Sequence, residues 1–242
     1  MTGARGSLVS QALRYAWALL RRHPWSLALV FAGLLLPLWL FGELAEEIHE
    51  QEAIAFDEPL LRFAQAAASE RLDRFFVLAS KLGYDWGVVP FDVALVLVLA
   101  ALRRFRAATF AAVALGGSAL LNMATKAVFA RDRPALWESI APETTYSFPS
   151  GHAMGSMTLA AVLVLLAWRS RWRWPLAALM GAFVLLVGAS RVYLGVHYPS
   201  DILAGWAAAT AWAAASFLLV YRARLPWRRP FLPRGRAAAG EE

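Results

Sequence analysis

The chain has 242 residues, 60% of them hydrophobic, and a net charge of +7. Several apolar runs approach the roughly 20 residues that span a bilayer, which excludes an ordinary soluble protein. There is no cysteine, which excludes disulfides, zinc–thiolate sites and a cysteine nucleophile.

In a soluble protein the positive charge would point to nucleic acid. Here the basic residues sit in short loops between apolar runs, as the positive-inside rule describes, and no nucleic-acid partner is expected. The segment 1–24 carries Arg5, Arg14, Arg21 and Arg22, and an apolar run follows from Trp25 to Phe41. That run is long for a signal peptide, and Phe41-Gly42-Glu43-Leu44 is no small-residue cleavage site, so an uncleaved transmembrane helix is predicted. Six spans follow from run length: 25–43, 86–102, 107–128, 154–169, 174–191 and 202–221. The expected fold is all-α, a polytopic bundle of six transmembrane helices with an amphipathic helix on its outer surface.

Charge sets the orientation. With the N-terminus cytoplasmic, the same side receives Arg103, Arg104 and Arg106, then Arg169, Arg171 and Arg173, then the arginines from Arg222 onward. Both termini are therefore expected inside, with 223–242 a cytoplasmic tail too rich in Pro and Arg to pack. The long connection 44–85 falls outside and is acidic, with Glu46, Glu47, Glu50, Glu52, Asp57, Glu58, Glu70, Asp73 and Asp85. Asp57-Glu58-Pro59 reads as an N-cap with proline in the first turn. Leu60, Leu61, Ala64, Ala68, Leu72, Phe75 and Phe76 recur at helical spacing. They predict an amphipathic helix that either lies on the membrane surface or packs on the bundle.

Two polar outer loops remain. In the first, Lys126 and Arg133 are seven apart, near two helical turns, and Pro134 ends the helix near Arg133. These cations either face an anion or reach lipid headgroups. The same loop ends in Ser147-Phe148-Pro149-Ser150-Gly151-His152. Ser-Gly-His opens a helix, where free N–H groups favour an anion and His152 can exchange protons near neutral pH. The simpler alternative is a cap by Ser150 alone. The second loop, Ser190 to Asp201, holds Arg191 and His197. A carboxylate at Asp201 can hold one ring N–H of His197 and free the other nitrogen as a nucleophile; Asp201 also suits a plain N-cap. The topology puts all three clusters on one side. Three cations beside two histidines and an Asp argue against a bound metal and for a tetrahedral oxyanion. No cofactor is expected.

Lys126 with Arg133-Pro134, Pro149-Ser150-Gly151-His152, and Ser190-Arg191 with His197 and Asp201 resemble the three-part signature of the type 2 phosphatidic acid phosphatase (PAP2) superfamily. The resemblance covers residues 126–201 by motif and makes 25–222 the phosphatase domain. It implies that His197 attacks phosphorus and forms a phosphohistidine, that Asp201 orients His197, and that His152 protonates the leaving oxygen and then activates water. It implies that Lys126, Arg133, Arg191, Ser190 and the backbone of Ser150 and Gly151 hold the phosphoryl oxygens. The substrate implied is a lipid phosphate or pyrophosphate, such as undecaprenyl pyrophosphate, phosphatidic acid or phosphatidylglycerol phosphate. Membrane lipids are the other expected partners. The expected location is the bacterial cytoplasmic membrane, with the site facing outward. A lipid transporter or flippase using the same charges without hydrolysis is the alternative.

Overall fold

The computed structural model describes residues 30–222, together with Ser10, Gln11, Arg14, Trp17, Arg21 and Leu27. The rest of the 1–24 segment, the first residues of the span at 25–43, and the 223–242 tail lie outside the described residues. A π-helical turn, Phe31–Leu35, leads into α1 (Leu36–His49). Then come α2 (Asp57–Ala66), α3 (Glu70–Leu82), α4 (Val88–Ala101) and α5 (Phe105–Phe129), followed by α6 (Gly151–Leu166), α7 (Arg173–Tyr193) and α8 (Pro199–Arg222). Among the described residues there is no strand.

Three helices, α5, α7 and α8, are long and apolar enough to cross a membrane. The apolar helices α4 and α6 are shorter, with 14 and 16 residues. At 1.5 Å per residue they reach about 21 and 24 Å, short of a hydrocarbon core of roughly 30 Å. The expected six-span layout is thus met by length in three helices.

Helix α8 is the central element and packs on α6, α1 and α5. Its alanines make this possible: Ala204, Ala207, Ala208, Ala209, Ala211, Ala213 and Ala214 are all buried. Small side chains let backbones approach without a hydrophobic driving force between helices. At Gly205 the approach is tightest for function. A Cβ there would lie 3.0 Å from the carbonyl oxygen of Ser150, so glycine lets α8 seat against the start of α6. At the other end Arg106 donates to the last carbonyls of α8, Val220 at 3.1 Å and Tyr221 at 2.5 Å.

The single amphipathic helix expected after Asp57 is two helices. Ser69 adopts an extended backbone between them. Its N–H donates to the Tyr193 hydroxyl at 3.2 Å, and that hydroxyl donates to Asp73 at 2.7 Å. The break lets Leu72, Phe76 and Val77 of α3 pack on Tyr193, Leu194 and Val196. Both helices pack on α7, so the segment belongs to the bundle. Asp57 is the first residue of α2 and Phe56 is its N-cap; the Asp57 carboxylate is spent elsewhere.

Helix α5 also ends earlier than Pro134 suggested. It stops at Phe129, where Ala130 turns left-handed at φ 44° and its N–H closes on Lys126. Arg133 is therefore in the loop, not on the Lys126 helix face. The two cations still meet, because both donate to Thr145 Oγ1 and the Tyr146 carbonyl.

Helix α7 ends in a Schellman motif. The N–H of Val196 bonds to Arg191 O at 3.2 Å and that of Gly195 to Val192 O at 3.0 Å. Gly195 has φ +69°, and a Cβ on it would lie 2.4 Å from the Trp137 ring. This turn aims His197 back toward Arg191. Gly195→Ala is expected to cost about 1–3 kcal/mol through left-handed strain and overpacking, read as a lower Tm in detergent together with reduced activity.

Candidate active site

Two residues beyond that glycine, His197 is wholly buried. Its Nδ1 lies 3.4 Å from Asp201 Oδ2 and 3.3 Å from Ser147 Oγ. Its Nε2 lies 3.2 Å from Arg133 Nη1. A guanidinium can only donate, so Nε2 is the acceptor and Nδ1 carries the proton. Burial pushes the His197 pKa down to about 4, against the opposing pull of Asp201. Near neutral pH the ring is uncharged, and its Nε2 lone pair is directed at the Arg133 guanidinium. Asp201, also wholly buried, is itself fixed. Its Oδ2 accepts from Ser147 Oγ at 2.5 Å and the Tyr198 N–H at 2.9 Å, and its Oδ1 accepts from Arg131 at 2.6 Å.

Opposite Nε2 stands a carboxylate. Arg133 Nη2 donates to Glu143 Oε2 at 2.7 Å, and Arg191 donates to Glu143 Oε1. His152 Nδ1 is 3.7 Å from Oε1, and His197 Nε2 is 3.9 Å from Oε2. Burial raises the Glu143 pKa, but Arg191, His197, Arg133 and His152 outweigh it and hold it at about 2. One anion thus sits where two guanidinium groups and two imidazoles converge. Charged donors arranged this way suit any small oxyanion with at least two oxygens, a phosphoryl group included. His152 is set by its neighbours: its ring stacks on Tyr84 with centroids 4.8 Å apart, and its Nε2 is 3.5 Å from Ser80 Oγ. Ser80 also accepts from Arg191.

The PAP2 superfamily model matches residues 107–225. An undecaprenyl-diphosphatase of Sulfolobus acidocaldarius is 30% identical over 187 residues, which cover 75% of this chain and 84% of that protein. The chain belongs to the PAP2 superfamily. Phosphatidylglycerophosphatase B of Bacillus subtilis is 28% identical over 168 residues, 67% of this chain and 82% of the relative. The crystal structure of a transmembrane PAP2 type phosphatidylglycerolphosphate phosphatase from Bacillus subtilis superposes with a TM-score of 0.65 at 27% identity, covering 76% of this chain and 93% of that one. Aquifex aeolicus LpxE gives a TM-score of 0.57 at 26% identity, over 68% and 96%. Like its relatives, which are named phosphatases, the chain is a hydrolase of the phosphatase class.

In this PAP2 protein the three motifs meet at one end of the bundle. His197, His152, Arg133 and Arg191 gather around Glu143, and Asp201 stands behind the His197 ring. Lys126 stands at the rim, donating to Thr145 Oγ1 at 2.9 Å and Tyr146 O at 2.5 Å. Two expected phosphate ligands are otherwise engaged. The Ser150 N–H donates to the Asp201 carbonyl at 3.1 Å, and its hydroxyl caps α6 by accepting from Ala153. Its backbone therefore ties α6 to α8. The Ser190 hydroxyl donates to Val187 O at 2.6 Å, within its own helix. Gly151 opens α6, where the first N–H groups have no intrahelical acceptor.

The motif spacing gives Ser147, Arg131, Asp57, Glu143, Ser80 and Tyr84 no role in the site. For Asp57, Arg131 and Glu143 the signal present was a charge beside a membrane boundary, which is costly without a partner. Ser80 and Tyr84 carry no such signal.

Proposed function

We propose that the chain is an integral-membrane lipid phosphatase that removes a terminal phosphate through a phosphohistidine on His197. The observation that carries this reading is the Glu143 carboxylate, held by Arg133 and Arg191 in front of His197 Nε2. A phosphoryl group seated there presents phosphorus to that lone pair. Burial and Arg191 push the His152 pKa down to about 3 in the resting site, so the proton arrives with the substrate. His152 takes it from the singly protonated phosphate, Nε2 attacks phosphorus, the P–O bond to the leaving oxygen breaks, and His152 gives that oxygen the proton. His152 then takes a proton from water, the water oxygen attacks phosphorus, and the P–N bond breaks to release inorganic phosphate. Asp201 keeps the Nδ1 proton in place and offsets the positive charge of the phosphorylated ring. Arg133 and Arg191, with Lys126 and the Gly151 N–H at the edge, offset charge on the phosphoryl oxygens. The guanidinium groups do the charge work that a metal ion does in many phosphatases, so the reaction is metal-independent.

A lipid substrate is supported by the surroundings. An apolar groove of about 350 Å³ between α4 and α5 is lined by Val93, Val96 and Leu97. It shares Val89, Asp92, Leu115 and Ala119 with a cavity that reaches Tyr84 and Gly151 beside His152. A tail in the groove leaves its phosphate at the cradle. Undecaprenyl pyrophosphate, phosphatidic acid and phosphatidylglycerol phosphate all present such a group, and the relatives named above act on two lipids of this kind. The basic loops support six spans, cytoplasmic termini and an outward-facing site. Arg106 lies at the α8 end remote from His197, which supports a site on the side away from the cytoplasm.

The test is phosphate release from a panel of lipid phosphates and pyrophosphates, with and without EDTA. Release from at least one lipid, unchanged by EDTA, is the expected result. Abolition by EDTA would overturn the metal-free mechanism, and no release from any lipid would favour a transporter. Because Glu143 occupies the anion seat, Glu143→Gln is expected to tighten orthovanadate binding about tenfold, or about 1.4 kcal/mol. Isothermal titration measures this, and weaker vanadate binding would show that Glu143 does not compete for the cradle.

A further inference from the structure

The sequence before the family match contributes to the catalytic pair. Asp57 is buried in the first turn of α2. Its Oδ1 accepts the Ser200 N–H at 2.8 Å, and its Oδ2 accepts from Ser200 Oγ at 2.5 Å and Arg131 Nη2 at 2.9 Å. Arg131 Nη1 in turn donates to Ser200 Oγ at 2.8 Å and to Asp201 Oδ1 at 2.6 Å. Its guanidinium lies 4.1 Å from the centre of the Tyr198 ring, which holds the plane of the fork. One guanidinium is thus shared by two carboxylates, one on each side, with Ser200 as the hinge between them.

We propose that Asp57 and Arg131 are positioning residues that set the orientation and charge of Asp201, and through it the reactivity of His197. The proposal rests on the nucleophilic role of His197 given above. Asp201 has two oxygens with separate duties. Oδ2 faces the His197 ring, and Oδ1 is held only by Arg131 among the contacts within reach of its side chain. Without that hold Ser147 Oγ and the Tyr198 N–H restrain the carboxylate through Oδ2 alone, and its tilt toward the His197 ring loosens. Charge matters as much as geometry. Arg131 alone would cancel Asp201, leaving nothing to balance the ring when phosphorylation makes it cationic. Asp57 cancels Arg131 instead. Two carboxylates and one guanidinium leave the cluster with one negative charge, and Asp201 is the member that touches His197. Burial pulls the Arg131 pKa down, but Asp201 and Asp57 together raise it, as expected for a guanidinium between two acids. A purely structural role, tying α2 to α8, predicts something different: less folded protein, with full activity in what folds.

The experiment compares Asp57→Asn, Arg131→Gln and the double variant with the full-length protein in detergent. The substrate is the lipid phosphate it hydrolyses fastest, with orthovanadate as the cradle probe. The expected result for each single variant is a kcat lower by roughly 10–100-fold, the range for partners that orient a reactive group from behind. KM and vanadate affinity stay within about twofold, since the cradle is intact. The double variant is expected to lose no more than Arg131→Gln alone, because both act through Asp201. A kcat within about twofold of wild type in folded Asp57→Asn overturns the proposal, as do losses that multiply in the double variant. Should Asp57→Asn not fold, Arg131→Lys decides, because it keeps the positive charge but loses the fork that holds both carboxylates; an unchanged kcat there also overturns it. Failure here is separable from failure of the nucleophile assignment, which His197→Ala tests on its own.

Discussion

His197→Ala is expected to lower phosphate release by on the order of 10⁴-fold or more, equivalent to about 5.5 kcal/mol or more of barrier. The size follows from what is removed. In the proposed mechanism His197 supplies the attacking nitrogen, so its loss removes a covalent step and not just one contact among several. Knocking out the nucleophile of an enzyme whose groups act as a unit costs about as much as removing the whole unit. The fold is expected to survive. Asp201 keeps Arg131, Ser147 and the Tyr198 N–H as partners when the ring is gone. Arg133 and Arg191 keep Glu143. Orthovanadate binding should therefore persist in the inactive protein. Its complete loss would show that the substitution emptied the cradle as well as the nucleophile position.

The second large effect is expected at Arg191. This side chain is buried, and its two terminal nitrogens serve Ser80 and Glu143. Its Nε is buried with no hydrogen-bond partner among the described residues. An unpaired buried donor is costly in the resting protein, and in the proposed mechanism a phosphoryl oxygen becomes its acceptor. Arg191 is thus expected to bind more strongly as charge builds on the phosphoryl group than before. Arg191→Ala should lower kcat by about 10²–10³-fold, or about 2.7–4 kcal/mol. Arg191→Lys keeps the charge but not the fork, and should recover only part of that loss. Steady-state kinetics beside a thermal melt separates this from misfolding. A kcat within about threefold of wild type in either folded variant would remove Arg191 from the mechanism.

How much of this was legible in the sequence depends on distance along the chain. The motif residues could be read because each cluster is local. His197 and Asp201 are four apart, and Ser150 to His152 opens a helix. What could not be read are pairings over long separations. Asp57 meets Ser200 and Arg131, 143 and 74 residues away, and no periodicity relates them. Glu143 looked like one acid in an outer loop, and only the fold places it between Arg133 and Arg191. Lys126 and Arg133 were rightly paired for a mistaken reason. Two helical turns seemed to align them, whereas the loop carrying Thr145 and Tyr146 brings them together after α5 has ended at Phe129. The break at Ser69 was hidden because the apolar spacing runs through it, and the Tyr193 hydroxyl that holds it lies on α7. For Ser150 the simpler expectation, a cap, is what the structure shows, and the Ser190 hydroxyl is spent within its own helix.

The most direct test is to trap the covalent intermediate. Substrate labelled at its terminal phosphorus is mixed with the purified protein, quenched with base within milliseconds, and the protein is digested and mapped. The account predicts an acid-labile, base-stable label on the peptide that holds His197, absent in His197→Ala and formed at least as fast as phosphate is released. Steady release of phosphate with no label on the protein at any time, or a label on another residue, would contradict it.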